Sequence, residues 1–196
     1  MTDASPLAST GPAPTGPLAG QRVLVCICGG IAAYKAAELV RGLRKGGAQV
    51  RVAMTEAATR FVGPTTFQAL SGEPVRTSLW DEAAEAAMGH IELARWPTVV
   101  VIAPATANTL AKLAHGLADD LVSTLCLATD APIAVAPAMN RLMWAHPATR
   151  ANMDTLRGRG VLVLGPDAGD QACGEVGEGR MVEPETIVAA LAGDPA

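Results

Sequence analysis

The side chains able to do chemistry fall in a few short stretches. Cys28-Gly29-Gly30-Ile31-Ala32-Ala33 sets two glycines ahead of a helical segment, where bare backbone and unpaired N–H groups can cradle a phosphate. The pair is neither a dinucleotide fingerprint nor a Walker loop, and a tight turn needing glycine for geometry alone would read the same way. In Met54-Thr55-Glu56-Ala57-Ala58, Thr55 suits a helix N-cap, and its hydroxyl could equally face a bound group. The run Thr106-Ala107-Asn108-Thr109 puts small polar side chains at the mouth of a helix, where an anion or sugar-phosphate fits; a cap explains Thr106 but not the whole run. Asn140, among Met139, Met143 and Trp144, has an amide that can donate to a carboxylate while accepting from a neighbouring N–H. The three bulky residues around it read as core or interface packing. His90 has an imidazole suited to proton transfer near neutrality, although a lone loop histidine is more often structural. Cys173 sits in a glycine-rich stretch that could close over a ligand. Arg180, close behind it, either meets an anion or braces that loop.

These residues need a scaffold, and the rest of the sequence describes one. Short β-branched runs at 22–28, 49–54, 98–103, 132–136 and 161–164 are apolar without strict alternation, as in strands covered on both faces. Helical stretches at 31–45, 65–71, 106–114, 119–127, 147–159 and 184–191 lie between and after them. Alternation of this kind predicts an α/β fold, a doubly wound parallel sheet in three α/β/α layers, with ligands beyond the carboxyl ends of the strands. Residues 1–20, rich in Pro, Gly, Ala, Ser and Thr, read as a flexible leader, and 21–196 as one folded domain.

Composition narrows the function. At 49% hydrophobic and a net charge of −4, the 196 residues describe a globular chain with a sizeable core. Only 3% are aromatic, which leaves few platforms for stacking bases, so no nucleic-acid partner is expected. There is no long apolar run and no signal-like N-terminus, so neither membrane insertion nor secretion is expected, and a cytoplasmic protein with reduced thiols is. Among four cysteines, Cys26 and Cys28 are expected to face opposite sides of their strand, no C-x-x-C spacing occurs, and no metal site is expected.

Five segments in order carry a resemblance. They are Gly29-Gly30-Ile31-Ala32-Ala33-Tyr34-Lys35, Met88-Gly89-His90-Ile91-Glu92-Leu93, the Ala-Pro-Ala-Thr-Ala-Asn run from Ala103, Pro137-Ala138-Met139-Asn140, and Ala172-Cys173-Gly174-Glu175-Val176-Gly177-Glu178-Gly179-Arg180-Met181. Together they resemble the homo-oligomeric flavin-containing cysteine decarboxylases over nearly the whole chain from about residue 20. The resemblance implies a Rossmann- or flavodoxin-like flavoprotein that holds FMN through the backbone of Gly30, Ile31 and Ala32, the Thr55 hydroxyl, and Thr106, Ala107, Asn108 and Thr109, with Ala138 near the flavin. It also implies that His90 is an active-site histidine, that Asn140 holds the substrate carboxylate with Ala172 and Arg180 nearby, and that Cys173, on a substrate-clamping loop, donates a proton. The implied substrate is a small cysteine-derived molecule. 4′-Phosphopantothenoylcysteine would be oxidised at its cysteine β-carbon, lose carbon dioxide and be re-reduced to 4′-phosphopantetheine, a step of coenzyme A biosynthesis. A peptidyl-cysteine decarboxylase that stops at the enethiol, and a flavin-binding regulatory subunit, are the alternatives. Assembly into trimers or dodecamers is implied as well. Two departures stand out: Cys28 occupies a position where relatives often have Ser, and the ligase half of the bifunctional relatives lies outside these residues, whether the chain is a stand-alone enzyme or one half of a longer protein.

Overall fold

In the computed structural model residues 15–80 and 89–193 are described; Met88 and residues 1–14 of the expected leader lie outside them. Five strands form one parallel sheet: β1 (Arg22–Ile27), β2 (Gln49–Met54), β3 (Val99–Ala105), β4 (Ile133–Pro137) and β5 (Leu162–Val163), in the order β2-β1-β3-β4-β5. The helices are α1 (Lys35–Lys45), α2 (Pro64–Ser71), α3 (Gly89–Arg95), α4 (Ala107–His115), α5 (Leu121–Leu127), α6 (Arg141–Ala145), α7 (Pro147–Gly158) and α8 (Pro184–Leu191). Short 3₁₀ helices at Ile31–Tyr34 and Glu56–Arg60 lead out of β1 and β2. A separate antiparallel hairpin, β6 (Asp167–Asp170) and β7 (Val176–Arg180), stands apart from the main sheet.

The near-continuous apolar strands are explained by two cores. Val23, Val25 and Ile27 face one side with Val101, Val52 and Met54, beneath α1, α2 and α8, where Leu39, Leu43, Phe67 and Ile187 close the layer. Leu24, Cys26 and Ile102 face the other side, covered by Leu93, Leu110, Leu125 and Leu156 from α3, α4, α5 and α7. Cys26 and Cys28 both belong to this second core, which corrects the expectation that they diverge: residues two apart on a strand share a face. Neither faces water, and Cys26 is held protonated by its hydrogen bond to Cys126 and by burial.

The packed chain also begins earlier than the composition implied. Leu18 is fully buried and its N–H donates to the Gly46 carbonyl at 2.8 Å, so residues 15–20 cover the end of α1 rather than trailing from it.

Sheets of this strand order place ligands where the crossovers on either side of β1 and β3 diverge, beyond the strand C-termini. Register aligns those termini. Ile27 pairs with Met54, and Ala105 with Pro137. The chain between β1 and Lys45 is helical as expected but opens in a 3₁₀ turn. Composition gave no signal for α3, α6 or the β6–β7 hairpin.

Candidate active site at the strand tips

Backbone hydrogen bonds fasten the strand-tip loops into one row. Thr55 N–H donates to the Ile27 carbonyl (3.0 Å), Cys28 N–H to Pro104 (3.3 Å), Ala138 N–H to Ala105 (3.0 Å) and Met139 N–H to Gly179 (2.9 Å). The last of these ties the hairpin to the end of β4.

At the tip of β1 the two glycines differ. A Cβ on Gly29 would lie 2.5 Å from the Ala57 Cβ and 2.8 Å from its carbonyl carbon, so the protein itself requires glycine there. Gly30 is extended (φ −163°, ψ 162°), a conformation open to any residue, and a Cβ there would meet nothing nearer than Thr106 Cγ2 at 3.8 Å. The space beside Gly30 is therefore left open by the fold. The first N–H groups of the following 3₁₀ turn, those of Ile31 and Ala32, have no partner within that turn. Across it, Ala107 and Asn108 begin α4, and their N–H groups are likewise the leading donors of a helix. A phosphate-bearing ligand fits a recess walled by two helix starts and floored by glycine.

The hydroxyls behave differently from their donors. Thr55 caps its 3₁₀ helix by accepting from Ala58 N–H at 3.3 Å, and Thr106 caps α4 by accepting from Thr109 N–H at 3.3 Å. Both remain half-exposed, so a cap and a ligand contact are compatible. Thr109 is buried, and its hydroxyl donates to Cys28 Sγ at 3.1 Å. The Thr109 hydroxyl also lies 3.2 Å from the Thr106 hydroxyl, which links the buried thiol to the α4 cap. Burial pushes the Cys28 thiol up to about 12, against smaller opposing effects from Thr109 and the Thr106 N–H.

Beside Ala138 the loop that follows β4 meets the hairpin. Asn140 caps α6, its Oδ1 accepting from Leu142 N–H at 2.8 Å, and this fixes its Nδ2 toward the hairpin turn. There Nδ2 donates to Glu175 Oε2 at 2.6 Å and lies 3.6 Å from Cys173 Sγ. Gln171 stitches the two segments together: its Oε1 accepts from Arg141 N–H (3.1 Å), and its Nε2 donates to the carbonyls of Glu178 (3.2 Å) and Met139 (3.4 Å). Trp144 is buried; its Nε1 donates to Glu178 at 3.0 Å, and Arg150 lies over its ring at 4.7 Å. Of the four cysteines only Cys173 is exposed.

Two sequence-derived residues stand elsewhere. His90 is half-buried in the first turn of α3, which packs against α5, and the hydrogen bonds uniting Asn140, Cys173 and Gln171 do not include it. Arg180 donates to Glu183 at 3.2 Å and lies against Gly169 of the facing strand, contacts that suit the bracing alternative. Ala172 is exposed in the turn. Sequence reasoning missed Gln171, Glu175 and Arg141. Gln171 and Glu175 flank Cys173-Gly174 in a glycine-rich stretch without apolar alternation, which is why the sequence did not single them out.

Comparison with known proteins gives the family. The chain is 59% identical over 171 residues to the coenzyme A biosynthesis bifunctional protein CoaBC of Escherichia coli (strain K12), covering 87% of this chain and 42% of that protein. It therefore spans less than half the length of the curated relatives it matches. Among solved structures it superposes on a PPC decarboxylase mutant complexed with pantothenoylaminoethenethiol, with a TM-score of 0.80, 34% identity, and coverage of 87% of this chain and 96% of that one. The FMN binding protein AtHal3 gives a TM-score of 0.77 and 35% identity, covering 87% of this chain and 94% of that one. The model of the Flavoprotein family matches residues 13–194. With that span, and with the strand-tip recess and the Asn140–Cys173 contact in place, the chain belongs to the Flavoprotein family, among the cysteine decarboxylases that its motifs resemble.

Proposed function

We propose that the chain is an FMN-dependent phosphopantothenoylcysteine decarboxylase, converting 4′-phosphopantothenoylcysteine to 4′-phosphopantetheine in coenzyme A biosynthesis, in the cytoplasm. The observation that carries this reading is the approach of Asn140 Nδ2 to Cys173 Sγ, 3.6 Å, beside a glycine-floored recess between two helix starts.

FMN, when bound, supplies the reversible hydride acceptance that makes loss of carbon dioxide from a simple cysteine carboxylate possible. The chain's own residues do the rest. The N–H groups of Gly30, Ile31, Ala32, Ala107 and Asn108 hold the phosphate and ribityl chain, with the Thr55 and Thr106 hydroxyls alongside; Thr109 supports them through Cys28. Ala138, small and at the tip of β4, leaves room for the ring. Asn140 Nδ2 holds the substrate carboxylate. Cys173, exposed on the hairpin turn, delivers a proton to the carbon that has lost carbon dioxide, which separates this reaction from one that stops at the enethiol. Arg180 keeps the hairpin in shape through Glu183 and the backbone facing it.

His90 serves as the acid–base residue from a neighbouring copy. His90 stands in the first turn of α3, outside the bonds that join Asn140, Cys173 and Gln171, which supports its delivery by another copy. Ile31, Phe61, Leu142 and Met143, all about half exposed or more, lie in the segments that follow β1, β2 and β4 and offer apolar surface to such a copy. The assembly is a trimer, or a dodecamer built of four such trimers.

The test is direct. Purified protein should show flavin absorbance. Incubated with 4′-phosphopantothenoylcysteine, it should yield carbon dioxide and a product with the mass of 4′-phosphopantetheine. A product two hydrogens lighter would assign it to the enethiol-releasing branch, and a folded, colourless protein that refuses FMN would end the reading.

A further inference from the structure

We propose that Glu175 is a built-in stand-in for the substrate carboxylate: it occupies the Asn140 amide in the substrate-free protein and gives it up when substrate binds. The inference rests on the assignment of Asn140 as the carboxylate holder.

The Asn140 amide is committed at one end, because Oδ1 accepts from Leu142 N–H at 2.8 Å. Its Nδ2 is thus a donor of fixed direction. At the place where a bound carboxylate would sit, there is already a carboxylate: Glu175 Oε2 accepts from Nδ2 at 2.6 Å. Arg141 Nη2 approaches the other oxygen, Oε1, at 3.4 Å, so an amide and a guanidinium together grip one carboxylate. Asn140 and then Arg141 hold the Glu175 carboxyl below the ordinary glutamate range, so it is ionised at neutral pH. Cys173 Sγ lies 3.8 Å from Glu175 Oε2, so a substrate carboxylate in this position would carry its neighbouring carbon to the thiol.

The hairpin does not depend on that side chain. Its turn is closed by backbone bonds, Gln171 N–H to the Glu175 carbonyl (2.8 Å) and Gly174 N–H to the Gln171 carbonyl (2.9 Å). Its dock onto β4 is made by Gln171 and by the Met139–Gly179 backbone bond. Glu175 can therefore swing away while Cys173 stays in place. The Glu175 side chain is 37% exposed, so solvent is available to receive it.

A ligand that must displace an internal competitor binds more weakly by the fraction of sites already taken. This fixes the sign of the test. Neutralising Glu175 weakens the competitor and removes the repulsion of an incoming anion, so Glu175→Gln should lower KM. Were Glu175 only a prop for the hairpin, its loss would loosen the site and raise KM. Exposed charged contacts of this kind correspond to roughly two- to fivefold in an equilibrium constant.

FMN-loaded wild type, Glu175→Gln and Glu175→Ala would be compared for carbon dioxide release across a range of 4′-phosphopantothenoylcysteine concentrations. A second arm needs no turnover. The chain has three asparagines, Asn108, Asn140 and Asn152, so protein carrying ¹⁵N-asparagine gives three side-chain amide pairs, and Asn140 is assigned by its loss in Asn140→Ala. Titration with N-acetylglycine, a carboxylate with no thiol to oxidise, should shift the Asn140 pair at about two- to fivefold lower concentration in Glu175→Gln than in wild type. An unchanged or raised KM, with unchanged N-acetylglycine affinity, overturns the stand-in. A wild-type protein that releases no carbon dioxide strikes the proposed reaction instead, and the amide titration then decides the stand-in alone.

Discussion

Gly29 and Gly30 are adjacent, chemically identical and predicted to fail in opposite ways. Alanine at Gly29 must place its methyl 2.5 Å from the Ala57 Cβ and 2.8 Å from backbone carbon, so the 3₁₀ helix after β2 has to move. Overpacking of this kind costs about 1–3 kcal/mol. For a domain of this size, each kcal/mol shifts the melting midpoint by about 2–4 °C, so Gly29→Ala should melt roughly 2–12 °C lower. Alanine at Gly30 has an extended backbone to adopt and 3.8 Å of clearance, and it restricts the unfolded chain. Its cofactor-free melting point should stay unchanged or rise slightly, since such changes stabilise by about 0.4–1 kcal/mol. The cost falls on the ligand instead. A methyl pushed into a recess filled by FMN carries the same overpacking penalty, which is a roughly 5- to 150-fold weaker Kd. The two readings come from differential scanning calorimetry without cofactor and from quenching of FMN fluorescence on titration. Gly30→Ala that binds FMN like wild type would refute the placement of the phosphate beside Gly30. Equal melting points for the two variants would refute the steric distinction itself.

Cys173→Ser should leave FMN bound and carbon dioxide released while slowing the final protonation about 100-fold or more, so that an oxidised enethiol accumulates; normal yield of 4′-phosphopantetheine on mass analysis removes Cys173 from that role. Gly179 has φ +135°, and a Cβ there would strike the Met139 carbonyl, so Gly179→Ala should detach the hairpin, reduce turnover about 100-fold and leave FMN affinity within about twofold. Retained turnover would show that the hairpin does not position the reacting groups. Cys28 is raised from 9.0 to about 12 by burial, so folding keeps its proton bound and the associated stability is present below pH 9 and lost as pH rises toward 12. The melting midpoint should fall across that window, and Cys28→Ala should fall less steeply; parallel curves would count against a buried neutral thiol.

The frame of this fold was legible because its strands are buried on both faces. Val23 through Ile27 pack alternately into two cores, so the sequence reads as an unbroken apolar run, and the strand range 49–54 matched the structure to the residue. The same logic pointed to the edge where the cradle is proposed, since a parallel sheet brings every strand tip to one side. What stayed hidden were elements made by local polar bonds. Helix α6 has only five residues and is started by the Asn140 cap, too short for a periodicity to emerge. The β6–β7 hairpin is glycine-rich and mostly exposed, with Gly169, Gly177 and Gly179 at positive φ, so it lacks the apolar alternation by which strands are recognised.

That difference also explains which site residues the sequence could name. Asn140 and Cys173 could be matched as single residues in motifs, but their meeting depends on side-chain bonds from Gln171, whose partners are 30 and 32 positions away. A glutamate in such a stretch reads as a solvated surface charge, and at 37% exposure Glu175 looks like one by accessibility too. Only the direction of the Asn140 amide, fixed from behind by its capping bond, shows that this carboxylate sits on the donor proposed to hold the substrate. The cap that starts α6 and the contact that selects a carboxylate are thus made by the two ends of one side chain. It follows that a substitution aimed at the helix cannot spare the site: Asn140→Ser would preserve a cap for Leu142 N–H yet remove the only donor facing the hairpin turn from that residue.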